Sequence, residues 1–221
     1  LDNIGEMPVS VDFREYYRNN LETAMRLETE SFFRHILDEN LPPSEFLTPD
    51  YSFLNRELGM HYGIEGLEGT HMRQVSLEGS SRRGLTSQAL FLTASANGVD
   101  TSPVLRGIYV LKKVLGYTPP PPPPDVPELD PDITGATSLR EELAKHREAT
   151  SCAECHRKID PLGFALENYD AIGSWRDEYT RGTPVDASGK LPSGDEFQGP
   201  IEFRDLMAGR SDEFTKCLAE K

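Results

Sequence analysis

The densest chemistry in this chain lies in five consecutive residues, Cys152-Ala153-Glu154-Cys155-His156. Two thiols three positions apart sit about one helical turn apart on one face, which matches the separation of the two vinyl groups of a porphyrin. An imidazole directly after the second thiol falls under the iron. C-x-x-C-H is therefore the attachment signature of a c-type haem, with Cys152 and Cys155 as thioether sites and His156 as the proximal iron ligand. Two chemistries compete with it. A thioredoxin-like dithiol needs no following histidine, and a zinc site needs a second ligand pair, which a chain of three cysteines lacks. The expected cofactor is one covalent haem c.

Composition sets the surroundings. The chain of 221 residues is 37% hydrophobic and holds 17 prolines, which suits one or two domains with much loop and linker. Its 37 acidic and 23 basic residues give a net charge of −14, which disfavours nucleic acid or an anionic membrane surface and suits a basic or neutral redox partner. No apolar stretch approaches the roughly 18 residues of a membrane span, and no signal peptide is visible. Haem is attached to thiols on the export side of a bacterial membrane, so a periplasmic or otherwise exported location is expected. The start at Leu1 and the end at Lys221 within a helical pattern suggest a piece of a larger protein.

Helices must position the motif. From Ser10 to Glu39, Leu21, Ala24, Met25, Phe32, Phe33, Ile36 and Leu37 recur at helical spacing. Thr48-Pro49 predicts a second helix with Tyr51, Leu54 and Leu58 on one stripe, continued to His61. Met72–Leu77 alternates like a small strand, and Gly84–Leu92 is apolar enough for a buried helix. Ser102-Pro103 opens an amphipathic helix that Gly116 ends. Six consecutive prolines from Pro119 to Pro124 predict a polyproline II strut between two lobes, or less simply a ligand for a proline-recognition module. The capping box Ser138-Leu139-Arg140-Glu141 starts a helix that runs toward the haem motif. Asp160-Pro161-Leu162-Gly163-Phe164 is expected to break the chain direction, with a short helix over Phe164–Tyr169, an extended piece over Trp175–Tyr179, and helices opening at Gly199-Pro200 and Ser211. The expected fold is mainly α: a helical lobe over residues 1–80, a middle helical segment over 81–135 ending in the proline linker, and a small cytochrome c-like haem-binding domain over 136–221.

Arg83-Gly84-Leu85-Thr86-Ser87-Gln88, Thr101-Ser102-Pro103-Val104-Leu105-Arg106-Gly107, the proline run and the haem motif with Asp160-Pro161-Leu162-Gly163-Phe164-Ala165-Leu166-Glu167-Asn168-Tyr169-Asp170 together resemble the large exported cytochrome-bearing proteins of planctomycetes. In those, several adjacent domains of unknown function, 1592, 1588 and 1585 among them, precede a C-terminal haem-binding segment. Phe53-Leu54-Asn55 and His61-Tyr62-Gly63-Ile64 resemble the end of the domain before, and the tail from Gly199 to Lys221 resembles the last segment, truncated. The resemblance implies a haem but no substrate.

Around that haem, the carbonyl of Pro161, or its neighbour Asp160, is expected to accept from the His156 nitrogen that does not touch iron. Trp175 and Arg176 are candidate partners of the propionates. For the sixth ligand, Met207 has the position of the thioether in small class I cytochromes, which its order after His156 resembles; His61 is the rival. His35, His71 and His146 are expected to be surface or packing residues, Cys217 a buried free thiol, and Asp186, Ser188 and Asp195 turn formers rather than calcium ligands. No acid–base pair or Ser/His/Asp order stands out. Two functions follow: electron transfer through a six-coordinate haem, or a haem-containing oxidoreductase or peroxidase-like enzyme whose substrate site lies largely outside this chain.

Overall fold

The computed structural model describes residues 8–18, 20–120, 140, 143, 150–179 and 182–220, with the backbone alone at positions 150 to 152. Among these residues eight helices carry most of the regular structure, beside two small two-stranded sheets, and the chain is mainly α. The proline strut beyond Pro120 and His146 fall outside the described residues, and of the helix expected from Ser138 only positions 140 and 143, both helical, are described.

The first helical stretch is divided. α1 (Arg14–Tyr17) is a single turn, and α2 (Leu21–Asp38) starts after Asn20, whose φ of 58° reverses the chain. α2 buries Leu21, Ala24, Met25, Phe32 and Ile36 at helical spacing, with Glu28 on the same face. The helix expected from Thr48-Pro49 does not form. The Thr48 hydroxyl donates back to the Ser44 carbonyl (3.3 Å) beside a 3-10 turn over Pro43–Phe46. Tyr51–Leu54 is instead strand β1, antiparallel to β2 (Arg73–Ser76), with Tyr51 opposite Ser76 and Leu54 opposite Arg73. Ser52 and Leu54 point inward from β1, and α3 (Arg56–His61) follows at once, capped by Asn55 Oδ1 accepting from the Leu58 N–H. The stripe through positions 51, 54 and 58 is thus a strand's inner face followed by a helix's. Gly84–Leu92 likewise splits into a 3-10 turn (Leu85–Ser87) and α4 (Ala89–Ala94).

α5 (Pro103–Lys113) begins where expected. Ser102 accepts from the Leu105 N–H, Pro103 occupies the first turn, and Lys112 and Lys113 sit at the C-terminal end. It packs on α6 (Thr150–Phe164), whose first two turns hold the C-x-x-C-H motif. α6 runs through Asp160 and Pro161 rather than breaking there. Pro161 removes one rung of the ladder, and bonding resumes with the Ala165 N–H donating to the Pro161 carbonyl (3.1 Å). The residues expected as a helix over Phe164–Tyr169 form turns beyond α6. The α5–α6 contact is unusually close because glycines line it: a Cβ on Gly107 would overlap the Ile159 carbonyl, and one on Gly163 would overlap the backbone of Pro103.

β3 (Gly189–Lys190) and β4 (Glu196–Phe197) pair briefly before α7 (Pro200–Ala208) and α8 (Ser211–Ala219). The principal core draws Phe32, Ile36, Phe46 and Leu47 together with Phe91, Val110 and Leu111 and with Ile159, Leu162, Phe203, Met207 and Phe214. It therefore takes side chains from all three segments of the expected division. A second core joins Leu21, Met25, Leu54, Leu58, Leu77 and Ala89.

Candidate functional site

The motif stands on the helix that, further along, closely approaches α5 at Ile159 and Gly163. In a helix Cys152 and Cys155 share a face, and Cys155 continues the line of Ile159, Leu162 and Leu166 toward the principal core, against which it packs as a half-buried free thiol. His156 lies on the neighbouring stripe. Its Nδ1 lies 2.9 Å from Oδ1 of Asp160, one turn on in the same helix; the imidazole is 13% exposed and the carboxylate 2%. A ring anchored through Nδ1 to a carboxylate is fixed in orientation and made a stronger base at Nε2, the form in which histidine serves metals. Asp160 thus occupies the place expected for an acceptor, while the Pro161 carbonyl serves the helix. The C-x-x-C-H sequence and an oriented imidazole lie on one helix, the donor set that a thioether-bound haem would use. Among the described residues no group of three or more His, Cys, Asp or Glu is arranged to hold a metal ion, and a haem attached through thioethers asks for no such cluster.

Trp175 and Arg176 are each held by protein groups of their own neighbourhood. Trp175 is 42% exposed, donates from Nε1 to Asp177 Oδ1 (3.1 Å) and meets the Tyr169 ring edge-on. Arg176 turns inward: Nε donates to the Glu167 carbonyl (2.9 Å), and Nη2 to Thr101 Oγ1 (2.6 Å) and Glu167 Oε2 (3.0 Å). Met207 is buried in the principal core, the same cluster that Cys155 packs against. His61 places Nε2 2.9 Å from the Ile172 carbonyl, and burial together with the Arg82 guanidinium lowers its pKa from the usual 6.5 to about 4. His35 packs between Tyr51 and Phe53, Cys217 is a buried thiol whose Sγ donates to the Lys112 and Lys113 carbonyls, and Asp186 accepts from Ser188 in a turn.

Two buried polar networks escaped the sequence reading. Arg106, fully buried, holds the chain beyond α6 by donating to the carbonyls of Leu166 (2.8 Å), Tyr169 (2.6 Å) and Asp170 (2.7 Å), and it pairs with Glu167 Oε1 at 3.3 Å. Glu167, also fully buried, receives Arg176 and Thr101 on its other oxygen. The second network centres on Glu28, which accepts from Ser52 (2.7 Å) and from the Tyr62 hydroxyl (2.6 Å). Burial raises the Glu28 pKa from 4.5 to about 7. Arg82 lies over the rings of Tyr62 (3.9 Å) and Tyr169 (5.0 Å) and donates to the carbonyls of Ser87 and Gly173. An acidic residue on the apolar stripe of α2 was the one visible signal; Arg82 and Arg106 carry none in their local pattern.

Family models match two stretches of the chain. Residues 82–179 match PSCyt3, a protein of unknown function (DUF1588), and residues 1–64 match PSD4, a protein of unknown function (DUF1592). No curated protein and no solved structure matches the chain. Among the described residues no helix is long and apolar enough to cross a membrane. The chain is thus similar to two families of unknown function set end to end, DUF1592 followed by DUF1588, with the C-x-x-C-H motif inside the second.

Proposed function

We propose that α6 carries one haem c, bound through thioethers at Cys152 and Cys155 with His156 as proximal ligand, and that the protein transfers electrons in a periplasmic or otherwise exported compartment. The observation that carries this is the His156 Nδ1 contact with the Asp160 carboxylate at 2.9 Å in the helix that holds both thiols. The haem would supply one-electron redox chemistry, tuned by its axial ligands. The protein's share is to hold His156 in one tautomer, to press Cys155 against a core, and to present a strongly acidic surface to a basic or neutral partner. The family name PSCyt3 agrees with a cytochrome. Residues 136–221 are then a small cytochrome c-like domain, the proline run its link to the middle segment, and the tail from Gly199 the start of a DUF1585 segment.

Met207 is the sixth ligand in this reading, since it shares a core with Cys155, whereas the His61 nitrogen is already set against a carbonyl. Maturation in a haem-attaching host should raise the intact mass by one haem, and the colour should survive acid-acetone extraction. A colourless product ends the reading. Asp160→Asn should raise the reduction potential, because the neutral amide gives His156 less basicity with which to stabilise the ferric iron; an unchanged potential removes Asp160 from the site. Rapid carbon monoxide binding to the reduced protein would overturn six-coordinate electron transfer in favour of an enzyme.

A further inference from the structure

The chain has one tryptophan, and it stands at the outer end of a row of rings. Trp175, 42% exposed, meets Tyr169 edge-on at 5.3 Å between centroids. Tyr169 lies 5.0 Å from the Arg82 guanidinium, which in turn lies 3.9 Å from the Tyr62 ring. Both ends of the row have a carboxylate to which the ring's own hydrogen is donated: Trp175 Nε1–H to Asp177 Oδ1 at 3.1 Å, and the Tyr62 hydroxyl to Glu28 Oε2 at 2.6 Å. The middle ring differs. Tyr169 donates to the Ser81 carbonyl (2.9 Å), which cannot keep a proton.

We propose that this row is an oxidation relay, in which a strong one-electron oxidant arriving at Trp175 draws an electron from Tyr62 while the Tyr62 phenolic proton passes to Glu28. The balance is simple. The oxidant gains one electron, the Tyr62 O–H bond breaks, and a new O–H bond forms on Glu28 Oε2. A neutral phenoxyl radical is left beside a neutral carboxylic acid: the departing electron removes the one negative charge that Glu28 held, so no cation is stranded on Tyr62. Tyr62 cannot first ionise by itself, because burial and the neighbouring Glu28 hold its pKa well above the usual value. Proton loss before oxidation is thus disfavoured, and a carboxylate at 2.6 Å stands ready to receive the proton as the electron leaves. Desolvation makes Glu28 a stronger base than an exposed carboxylate. The groups that face Glu28 are Ser52 from β1, Tyr62 from the end of α3, the Ala89 N–H at the start of α4, and the Arg82 charge. The relay stands on rings and carboxylates and does not require the haem.

The test uses the full chain and photogenerated tris(bipyridine)ruthenium(III) as the oxidant, read by transient absorption and electron paramagnetic resonance. A neutral tyrosyl radical is expected, lost in Tyr62→Phe, slowed in Trp175→Phe, and lost in Glu28→Gln, which still accepts the hydrogen bond but cannot take the proton. In the unaltered chain its yield should fall as pH drops through about 7, where Glu28 becomes protonated. The same tyrosyl yield in Tyr62→Phe or in Glu28→Gln overturns the proposal. Should the Tyr62 variant fail to fold, the unaltered chain decides: radical formation that is no slower in heavy water means that no proton moves with the electron, and the relay is refuted.

Discussion

Adding one methyl group to α6 should separate it from α5. In Gly163→Ala the new Cβ would meet Pro103 backbone atoms, and backbone cannot swing aside as a side-chain tip does. Two effects compete. Alanine gains about 1 kcal/mol over glycine inside a helix, whereas overpacking a close contact costs about 1 to 3 kcal/mol and occasionally more. Because three backbone atoms of one residue form the obstacle, the upper end applies, and the net loss is about 2 kcal/mol. For a chain of this length that lowers the melting temperature by about 4 to 8 °C. Scanning calorimetry measures it, with Gly199→Ala as the control, since nothing lies within 4 Å of a Cβ there. A Gly163→Ala protein that melts at or above the parent temperature would show that the helices do not cross at this distance.

The pH dependence of stability should be set by two buried groups of opposite sign. Glu28, raised from 4.5 to about 7, contributes stability that is complete below about 4.5 and lost as pH rises to about 7; His61, lowered from 6.5 to about 4, contributes stability that is complete above 6.5 and lost as pH falls to about 4. Urea midpoints across this range should be nearly flat in the parent, rise with pH in Glu28→Gln and fall with pH in His61→Asn; three parallel curves would contradict the assignment. Arg106→Met strands the fully buried Glu167 with less compensation and should cost about 3 to 5 kcal/mol, much of it recovered by adding Glu167→Gln; a single variant of parental stability would refute the pairing. In the haem-loaded protein, a far-red sulfur-to-iron band should be present and should vanish in Met207→Ala. Its absence, with a low-spin spectrum that turns high-spin in His61→Ala, would transfer the ligand role to His61.

The parts legible in the sequence were those whose signal is local. α5 announced itself through Ser102, Pro103 and its apolar stripe, and the Met72–Leu77 alternation marked β2. The motif residues and the aspartate one turn on were likewise near each other in the chain. The error at Tyr51 came from a coincidence of periods, and the one at Pro161 from treating proline as a terminator where α6, pressed against α5, absorbs a missing rung. The charge networks were hidden for another reason. Arg106 and Glu167 lie 61 residues apart, and Arg82 meets a carbonyl 91 residues away, so no periodicity links them.

Arg82 is the first residue of the second matched stretch, and the ring it covers at 3.9 Å, Tyr62, belongs to the first. A genetic exchange with its crossover between residues 64 and 82 would hand one descendant a buried acid and phenol without their cation, and the other a cation without its aromatic seat. Neither half inherits a finished interior. What is spelled as two successive modules is, in this chain, a single heritable unit whose seam runs through a buried polar network.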